Sequence, residues 1–156
     1  MVARLGLEEV VSVQNEPMST KEMRVVELNA QYLGVNLGLL MQAAGREVAR
    51  VISERERPIE GRRVAILCGG GGNGGDGMVA ARHLREAGAQ VEVYLIGSER
   101  RISSRDTLFN WEILKNLDSI RVRQLRTESD VSRCECFDTA DILVDAMLGF
   151  GVHSPC

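Results

Sequence analysis

The segment Gly69–Gly77 consists of glycine except at Asn73 and Asp76, and it carries the strongest chemical signal in the chain. It follows an apolar run, Val64–Cys68, and it precedes a helix-like segment, Met78–Ala87. A glycine-rich turn between a buried strand and a helix lets the backbone approach a ligand closely, and the N-terminus of the helix attracts phosphate. A carboxylate is unusual in a turn that only binds phosphate, so Asp76 indicates further chemistry.

A second acid, Asp145, interrupts the apolar run Ile142–Leu148 at the end of a predicted strand. A buried carboxylate is costly unless a cation or hydrogen-bond donors meet it. Two interpretations stay open: Asp145 faces the same ligand pocket as the glycine turn, or it caps the amides of its own following turn. Gly149 and Gly151 indicate a second close approach of backbone to ligand, and His153 is a candidate acid–base group beside them.

Two common nucleotide-binding loops fit this turn poorly. The pattern G-x-G-x-x-G occurs in it, but a run of glycines produces that match almost automatically. An ordinary dinucleotide site also needs an acid at the end of the following strand, and the nearest one beyond that end is Glu99. A Walker A loop is excluded, because glycine is nowhere followed by Lys-Ser or Lys-Thr.

The composition excludes several classes of protein. The chain has 156 residues and a net charge of −3 with mixed signs, so we expect one domain or most of one, with no nucleic-acid or membrane partner. Residues 1–17 look like an N-terminal extension without a targeting segment, and we expect a cytoplasmic protein. Cys134 and Cys136 form only half of a metal site, so we interpret them as ordinary thiols.

These residues are positioned by a predicted α/β fold. Ser19 and Glu22 form a capping box that starts a first helix, along which Met23, Val26, Ala30 and Leu33 follow helical spacing. A second helix, from about residue 37 to 54, is predicted to turn Leu40, Ala44, Val48, Val51 and Ile52 inward. Strands then alternate with helices, which predicts a parallel sheet covered on both faces. The predicted strands are 64–68, 90–96, 120–125 and 142–148, and the predicted helices are 78–87 and 105–117, with a short polar helical turn near 130–137. The helix 105–117 carries Phe109, Ile113 and Leu117 on one face, and the sheet is expected to be incomplete.

Four segments together resemble the YjeF N-terminal domain family, the NAD(P)H-hydrate epimerases. The glycine turn and its helix, Cys68–Leu84, are similar to the signature C-G-x-G-N-N-G-G-D-G-x-V-A-A-R-H-L. Leu40–Arg46 resembles L-M-x-x-A-G-R, Asp145–Gly151 resembles D-A-L-L-G-T-G, and Ser19–Met23 resembles the opening helix. The resemblance assigns residues 18–156 to one domain of this type, incomplete at its C-terminus.

The resemblance implies a Rossmann-like three-layer α/β/α sandwich that interconverts the R and S epimers of hydrated NAD(P)H with a bound potassium ion. Asn73 and Asp145 would be potassium ligands, since a hard cation prefers oxygen donors. The implied substrate-binding residues are Gly72, Asn73, Gly74, Gly75, Asp76, Gly149, Phe150, Gly151, Val152, His153, Ser154 and Pro155.

The sequence departs from the family pattern at three points. Gly72 replaces the first of the paired asparagines, and Phe150 replaces the threonine of the second loop. The later D-x-P-S-G segment, which supplies an acid facing the substrate and a serine ligand to the ion, does not occur, and we expect that acid to lie beyond Cys156. The catalytic residue therefore stays unassigned. We expect residues 1–156 alone to be marginally stable and to lack epimerase activity.

Two other functions remain open. YjeF-type folds also serve as non-catalytic scaffold modules in RNA-decapping proteins, and the chain could be the leading fragment of a bifunctional enzyme with an ADP-dependent dehydratase. Asn73, Asp76 and Asp145 favour the enzyme, because a scaffold has no need of cation ligands. Besides the hydrated NAD(P)H substrate, the expected partners are a second copy in a homodimer, or a fused or separate dehydratase domain.

Overall fold

A computed structural model describes residues 18–149 as an α/β fold built on a four-stranded parallel sheet. The helices are α1 (Thr20–Tyr32), α2 (Leu37–Arg55), α3 (Gly72–Glu86), α4 (Arg105–Lys115), α5 (Glu128–Ser132) and α6 (Cys136–Thr139), with a 3-10 turn at Glu99–Arg101. The strands are β1 (Arg63–Cys68), β2 (Gln90–Ile96), β3 (Arg121–Leu125) and β4 (Ile142–Ala146). Within the described residues, no helix is both long and apolar enough to span a membrane.

The strands are arranged in the order β3-β2-β1-β4, and every pair is parallel. The connections through α3 and α4 run from β1 towards β3, whereas the connection through α5 and α6 returns past β1 to β4. Because parallel crossovers are right-handed, α3 and α4 cover one face of the sheet, and α5 and α6 lie on the other. The strand order therefore reverses between β1 and β4, which is where doubly wound sheets bind ligands.

The two faces of the sheet carry separate apolar clusters, as the alternation of side chains along a strand requires. On the α3 and α4 face, Ile66 and Val93 pack with Met78, Leu84 and Trp111. On the other face, the smaller cluster consists of Ala65, Leu67, Tyr94, Leu125, Cys134 and Cys136. The predicted parallel sheet with helices on both faces is confirmed, and Trp111 and Tyr94 lie in the core.

The apolar residues at helical spacing in the first helix are not buried, and the predicted inward face of the second helix is wrong in part. Helix α1 begins with the predicted capping box, but it buries no residue, and Val26 and Leu33 are 48% and 79% exposed. Hydrophobic spacing marks a stripe on a helix, but it does not show that another element covers that stripe.

In α2 the buried residues are Met41, Gly45 and Ala49, whereas Val48 and Val51 are exposed. Small residues on the buried face let α2 approach α3 closely. A Cβ atom at Gly45 would lie only 2.5 Å from the Cβ of Val79. Leu40, Ala44 and Val48 are therefore each one position away from a residue that makes the contact, whereas Ile52 packs against the core as predicted.

The cysteine pair also differs from the prediction. The structure joins Cys134 and Cys136 in a disulfide with a Cα–Cα distance of 5.3 Å, within the usual range for such bonds. Cys68 is a free, buried thiol, and burial raises its pKa to about 12. Among the described residues, no group of three or more His, Cys, Asp or Glu side chains could hold a metal ion.

Candidate functional site

The turn after β1 is shorter than predicted, because α3 already begins at Gly72. Its N-cap is Gly71, with φ −94° and ψ −172°, and no side chain caps this end of the helix. The first turn of α3 also lacks an acidic side chain. Backbone N–H groups at such an end have no intrahelical partner and favour an anion, so the turn is suited to a phosphate or another negatively charged group.

The loop after β4 lies directly against this turn. The backbone N–H of Gly69 donates to the carbonyl oxygen of Ala146 at 3.0 Å. Further along, Asn73 Nδ2 donates to the carbonyl oxygen of Leu148 at 3.0 Å. A Cβ atom at Gly149 would lie 3.0 Å from the Cβ of Asn73. The glycine turn therefore lies at the carboxyl edge of the sheet, beside the end of β4 that carries Asp145.

The remaining residues predicted for the second loop lie outside the described part of the chain: Phe150, Gly151, Val152, His153, Ser154 and Pro155. Cys156, beyond which we expected the family's catalytic acid, also lies outside it. The structure therefore leaves the position of that acid a prediction, and the candidate site is built from residues 69–76 and 145–149.

Glycine is required at some positions of the turn and not at others. A Cβ atom at Gly69 would overlap the carbonyl oxygen of Met147, and one at Gly74 would overlap the carbonyl oxygen of Gly69. At Gly71 and Gly72, by contrast, a Cβ atom would meet nothing within 4 Å. The required glycines thus hold the turn against the sheet, whereas Gly71 and Gly72 border open space in which a ligand could lie.

Asp145 is exposed, which corrects the expectation of a buried carboxylate. It pairs with Leu67 on β1 and shares the sheet face of that residue, opposite α3. Within residues 18–149, β4 lies at the edge of the sheet, so the described neighbours cover this position on one side only. Asp145 Oδ1 accepts a hydrogen bond from the N–H of Met147 at 2.9 Å, so the carboxylate caps its own following turn. No direct hydrogen bond joins Asn73 and Asp145 in the part of the chain that the structure describes.

Asp76 is the acid whose environment is most perturbed. It lies one turn into α3, on the same side of the helix as Asn73. Burial raises the pKa of Asp76 to about 6, and the negative charge of Glu27 on α1 contributes to the increase. A carboxyl group that exchanges its proton near neutral pH, in a turn suited to ligands, is a candidate general acid or base.

The raised pKa of Asp76 predicts how stability depends on pH. The folded state binds this proton more tightly than the unfolded state, whose pKa is near the ordinary value of 3.8. Stability should therefore fall as the pH rises from about 4 to about 6 and then stay level. Asp76→Asn removes the charge and should raise the free energy of unfolding by roughly 2 kcal/mol above about pH 7.

This prediction is checked by denaturant unfolding across that pH range, with Asp118→Asn, an exposed acid before β3, as the matched control. If Asp76→Asn kept the wild-type dependence of stability on pH, the proton on Asp76 could not be its source.

Sequence reasoning missed two polar residues that support the turn. Thr107 and Asn110 on α4 are fully buried, whereas Phe109, on the apolar face noted in the sequence, is 63% exposed. Thr107 Oγ1 donates to the carbonyl oxygen of Gly71 at 2.9 Å. The available signal was the spacing of Thr107, Asn110, Trp111 and Leu114, which places two polar residues within one apolar helical stripe.

Glu99, the acid that an ordinary dinucleotide site would use, is engaged elsewhere. Its carboxylate accepts hydrogen bonds from Trp111 Nε1 at 2.9 Å and from Lys115 Nζ at 3.3 Å. The bond from Trp111 is the main cause of a lowered pKa at Glu99. The residue anchors α4 to the end of β2, in agreement with the interpretation that this is not an ordinary NAD-binding turn.

Comparison with known proteins gives a consistent set of relatives. A family model described as YjeF-related protein N-terminus matches residues 38–156. The bifunctional NAD(P)H-hydrate repair enzyme Nnr of Methanothermobacter thermautotrophicus is 43% identical over 140 residues, which cover 87% of this chain and 26% of that enzyme. The NAD(P)H-hydrate epimerase of Cenarchaeum symbiosum is 36% identical over 137 residues, 86% of this chain and 60% of that protein.

A solved structure shows the same fold. The crystal structure of yeast ynu0, YNL200c, matches with a TM-score of 0.75 and 25% sequence identity, over 90% of this chain and 60% of the yeast chain. The sequence thus spans about a quarter of the bifunctional relatives and 60% of the single-function epimerase and of the yeast protein.

Proposed function

Because the chain belongs to the family of YjeF-related protein N-termini, we propose that it acts in the repair of hydrated NAD(P)H by interconverting the R and S epimers. The observation that carries this proposal is the contact between the glycine turn and the loop after β4, made by Asn73 and the carbonyl of Leu148. It places the signature turn, an uncapped helix N-terminus and a partly buried acid at the strand-order reversal, where this fold class binds nucleotides.

The proposed substrate site consists of residues 72–76 and 149–155. The free N–H groups at the start of α3 would bind a phosphate of the nucleotide, and open space at Gly71 and Gly72 lets a ligand approach the backbone. Residues 150–155 enter the proposal on the resemblance alone.

Inversion at the hydroxyl-bearing ring carbon requires a bond to that carbon to break and re-form, so charge develops and a proton must move. Asp76 supports this role among the described residues, because its carboxyl group has a pKa of about 6 and could hold or release a proton at its Oδ atoms near neutral pH. The family's usual acid has no counterpart in residues 1–156, so Asp76 is proposed as a proton carrier.

A potassium ion is the proposed cofactor, and the donor atoms fit it. Asn73 uses Nδ2 to bind Leu148, and within residues 18–149 no donor contacts Asn73 Oδ1. Asp145 uses only Oδ1 for the N–H of Met147. Each side chain therefore has an oxygen left for a hard cation. When bound, the ion would supply positive charge close to the negatively charged nucleotide.

A dehydratase is the proposed functional partner. Several relatives are named bifunctional NAD(P)H-hydrate repair enzymes, in which the matched region is about a quarter of the protein. We propose that the epimer produced at this site is passed to an ADP-dependent dehydratase, fused or separate. A homodimer and a cytoplasmic location stay predictions from the sequence.

Binding of the hydrated nucleotide tests the proposed site. Asn73→Ala removes the side chain that joins the two loops. The variant loses the hydrogen bond to Leu148 and the proposed contact of Asn73 with the substrate, so binding of hydrated NADPH should be about tenfold weaker. Titration calorimetry in potassium chloride measures this. Asn116→Ala is the matched control. Asn116 Nδ2 also donates to a backbone carbonyl, that of Glu112 at 2.8 Å, but Asn116 lies at the C-terminal end of α4. Equal affinities of the two variants would place the substrate elsewhere.

A further inference from the structure

The carbonyl oxygen of Gly71 is held from two directions. It accepts the N–H of Gly75 at 3.2 Å, which is the first hydrogen bond of α3. It also accepts the hydroxyl of Thr107 on α4 at 2.9 Å. Thr107 is 0% exposed, so the donor side of this hydrogen bond is shielded from water, whereas Gly71 is partly exposed. The start of α3 is therefore fixed by α4 as well as by its own helix.

Asn110 lies one turn further along α4 and encloses the same turn. Its Nδ2 donates to the carbonyl oxygen of Asp106 at 2.8 Å and contacts Met41 Sδ at 3.4 Å. A Cβ atom at Gly75 would lie 2.6 Å from Met41 Sδ and 2.7 Å from Thr107 Oγ1. Gly75 is thus packed between a side chain of α2 and one of α4, with no free space on that side.

Arg82 joins the three helices. Its Nη2 donates to Gln42 Oε1 at 2.8 Å and to Asn110 Oδ1 at 2.7 Å, and Gln42 Nε2 donates to the same oxygen of Asn110 at 3.1 Å. No carboxylate pairs with this guanidinium among the described residues, and Arg82 Nε is buried without a hydrogen-bond partner. Burial lowers the pKa of Arg82. A cluster that forms despite the unfavourable burial of the Arg82 guanidinium fixes one relative placement of α2, α3 and α4.

We propose that Thr107, bonded to the carbonyl of Gly71, and Asn110, bonded to Arg82, are positioning residues that hold the first turn of α3 in its ligand-binding conformation. None of them lies in the proposed substrate-binding set, so they act through Gly71 and Gly75. The effect on substrate rests on the proposed function, whereas the effect on the turn itself does not. Two readouts therefore separate the two claims.

Thr107→Val keeps the shape of the side chain and removes the hydroxyl. In the ligand-free protein, the amide of Gly75 should exchange with deuterium about tenfold faster, because the acceptor of its hydrogen bond is no longer fixed by α4. In the natural protein containing residues 1–156, KM for hydrated NADPH should rise about tenfold with kcat within about twofold, since the preformed binding turn is lost. Thr107→Ser keeps the hydroxyl and should restore both values.

Thr139→Val is the matched control, because Thr139 Oγ1 donates to the carbonyl of Glu135 at 2.7 Å on exposed α6. It should change neither readout. If Thr107→Val does not fold, Asn110→Asp replaces it: this variant keeps an oxygen for Arg82 but loses the donor to Asp106, and it should also speed exchange at Gly75.

The proposal would be overturned if the Gly75 amide of a folded Thr107→Val or Asn110→Asp variant exchanged with deuterium at the wild-type rate. Faster exchange in a protein that does not bind hydrated NADPH would keep the positioning role and refute the proposed function instead.

Discussion

Gly74→Ala is expected to lower the free energy of unfolding by about 3 kcal/mol, the upper end of the usual cost of overpacking a core. A Cβ atom at Gly74 would overlap the carbonyl oxygen of Gly69. That carbonyl cannot move away easily, because the N–H of Gly69 is bonded to Ala146 on β4. Alanine favours a helix over glycine by about 1 kcal/mol, which is too little to offset the backbone overlap. The melting temperature should fall by roughly 10 °C, and any ligand bound at the turn should be lost.

Gly72→Ala is the matched control for this result. It adds the same methyl group two residues earlier in the same helix, where nothing lies within 4 Å. Its stability should stay within about 0.5 kcal/mol of wild type or rise slightly. Thermal unfolding of both variants measures the difference, and two equally stable variants would show that the turn is not packed against β1 in the way described.

Asp145→Asn is expected to abolish stabilisation by potassium. Asparagine keeps the Oδ1 acceptor for the N–H of Met147, so the loop after β4 should keep its conformation while the negative charge is lost. If potassium is present at about ten times its dissociation constant, the wild type gains about 1.4 kcal/mol. The measurement is the melting temperature in potassium chloride against a tetraalkylammonium chloride of equal ionic strength.

Asp141→Asn is the control for this second prediction. Asp141 lies just before the opposite end of β4, where it pairs with Arg63 at 3.2 Å, so its loss should leave the potassium effect intact. A wild-type protein that melts at the same temperature in both salts would rule out the ion at this site.

The meeting of the two loops was predictable from the sequence, because parallel strands present their carboxyl ends at one edge. The apolar runs that end at Cys68 and Leu148 located those edges, and the glycine turn identified the candidate site. The exposure of Asp145 was not predictable, since it depends on β4 lying at the edge of the sheet formed by the described residues and on which face the residue occupies. The sequence pattern around Asp145 is the same whichever face of the sheet its side chain occupies.

The start of α3 at Gly72 was missed for a different reason. Glycine has a low helix propensity, so a run of glycines predicts a turn. In the structure α3 packs so closely at several of these positions that a larger residue would not fit: a Cβ atom at Gly77 would lie 2.7 Å from the Cβ of Ala146. Tertiary packing overrides propensity here. For the same reason the polar residues Thr107 and Asn110 are buried in a stripe that hydrophobicity alone would assign to apolar residues.

Epimer interconversion tests the proposed function most directly. The R epimer of hydrated NADPH is added to the natural protein containing residues 1–156 in potassium chloride, and the R and S forms are followed by chromatography. We expect the two forms to equilibrate far faster than in buffer without protein, and Asn73→Ala to slow this equilibration. A folded protein that leaves the R epimer to convert at the buffer rate would contradict the proposed epimerase function.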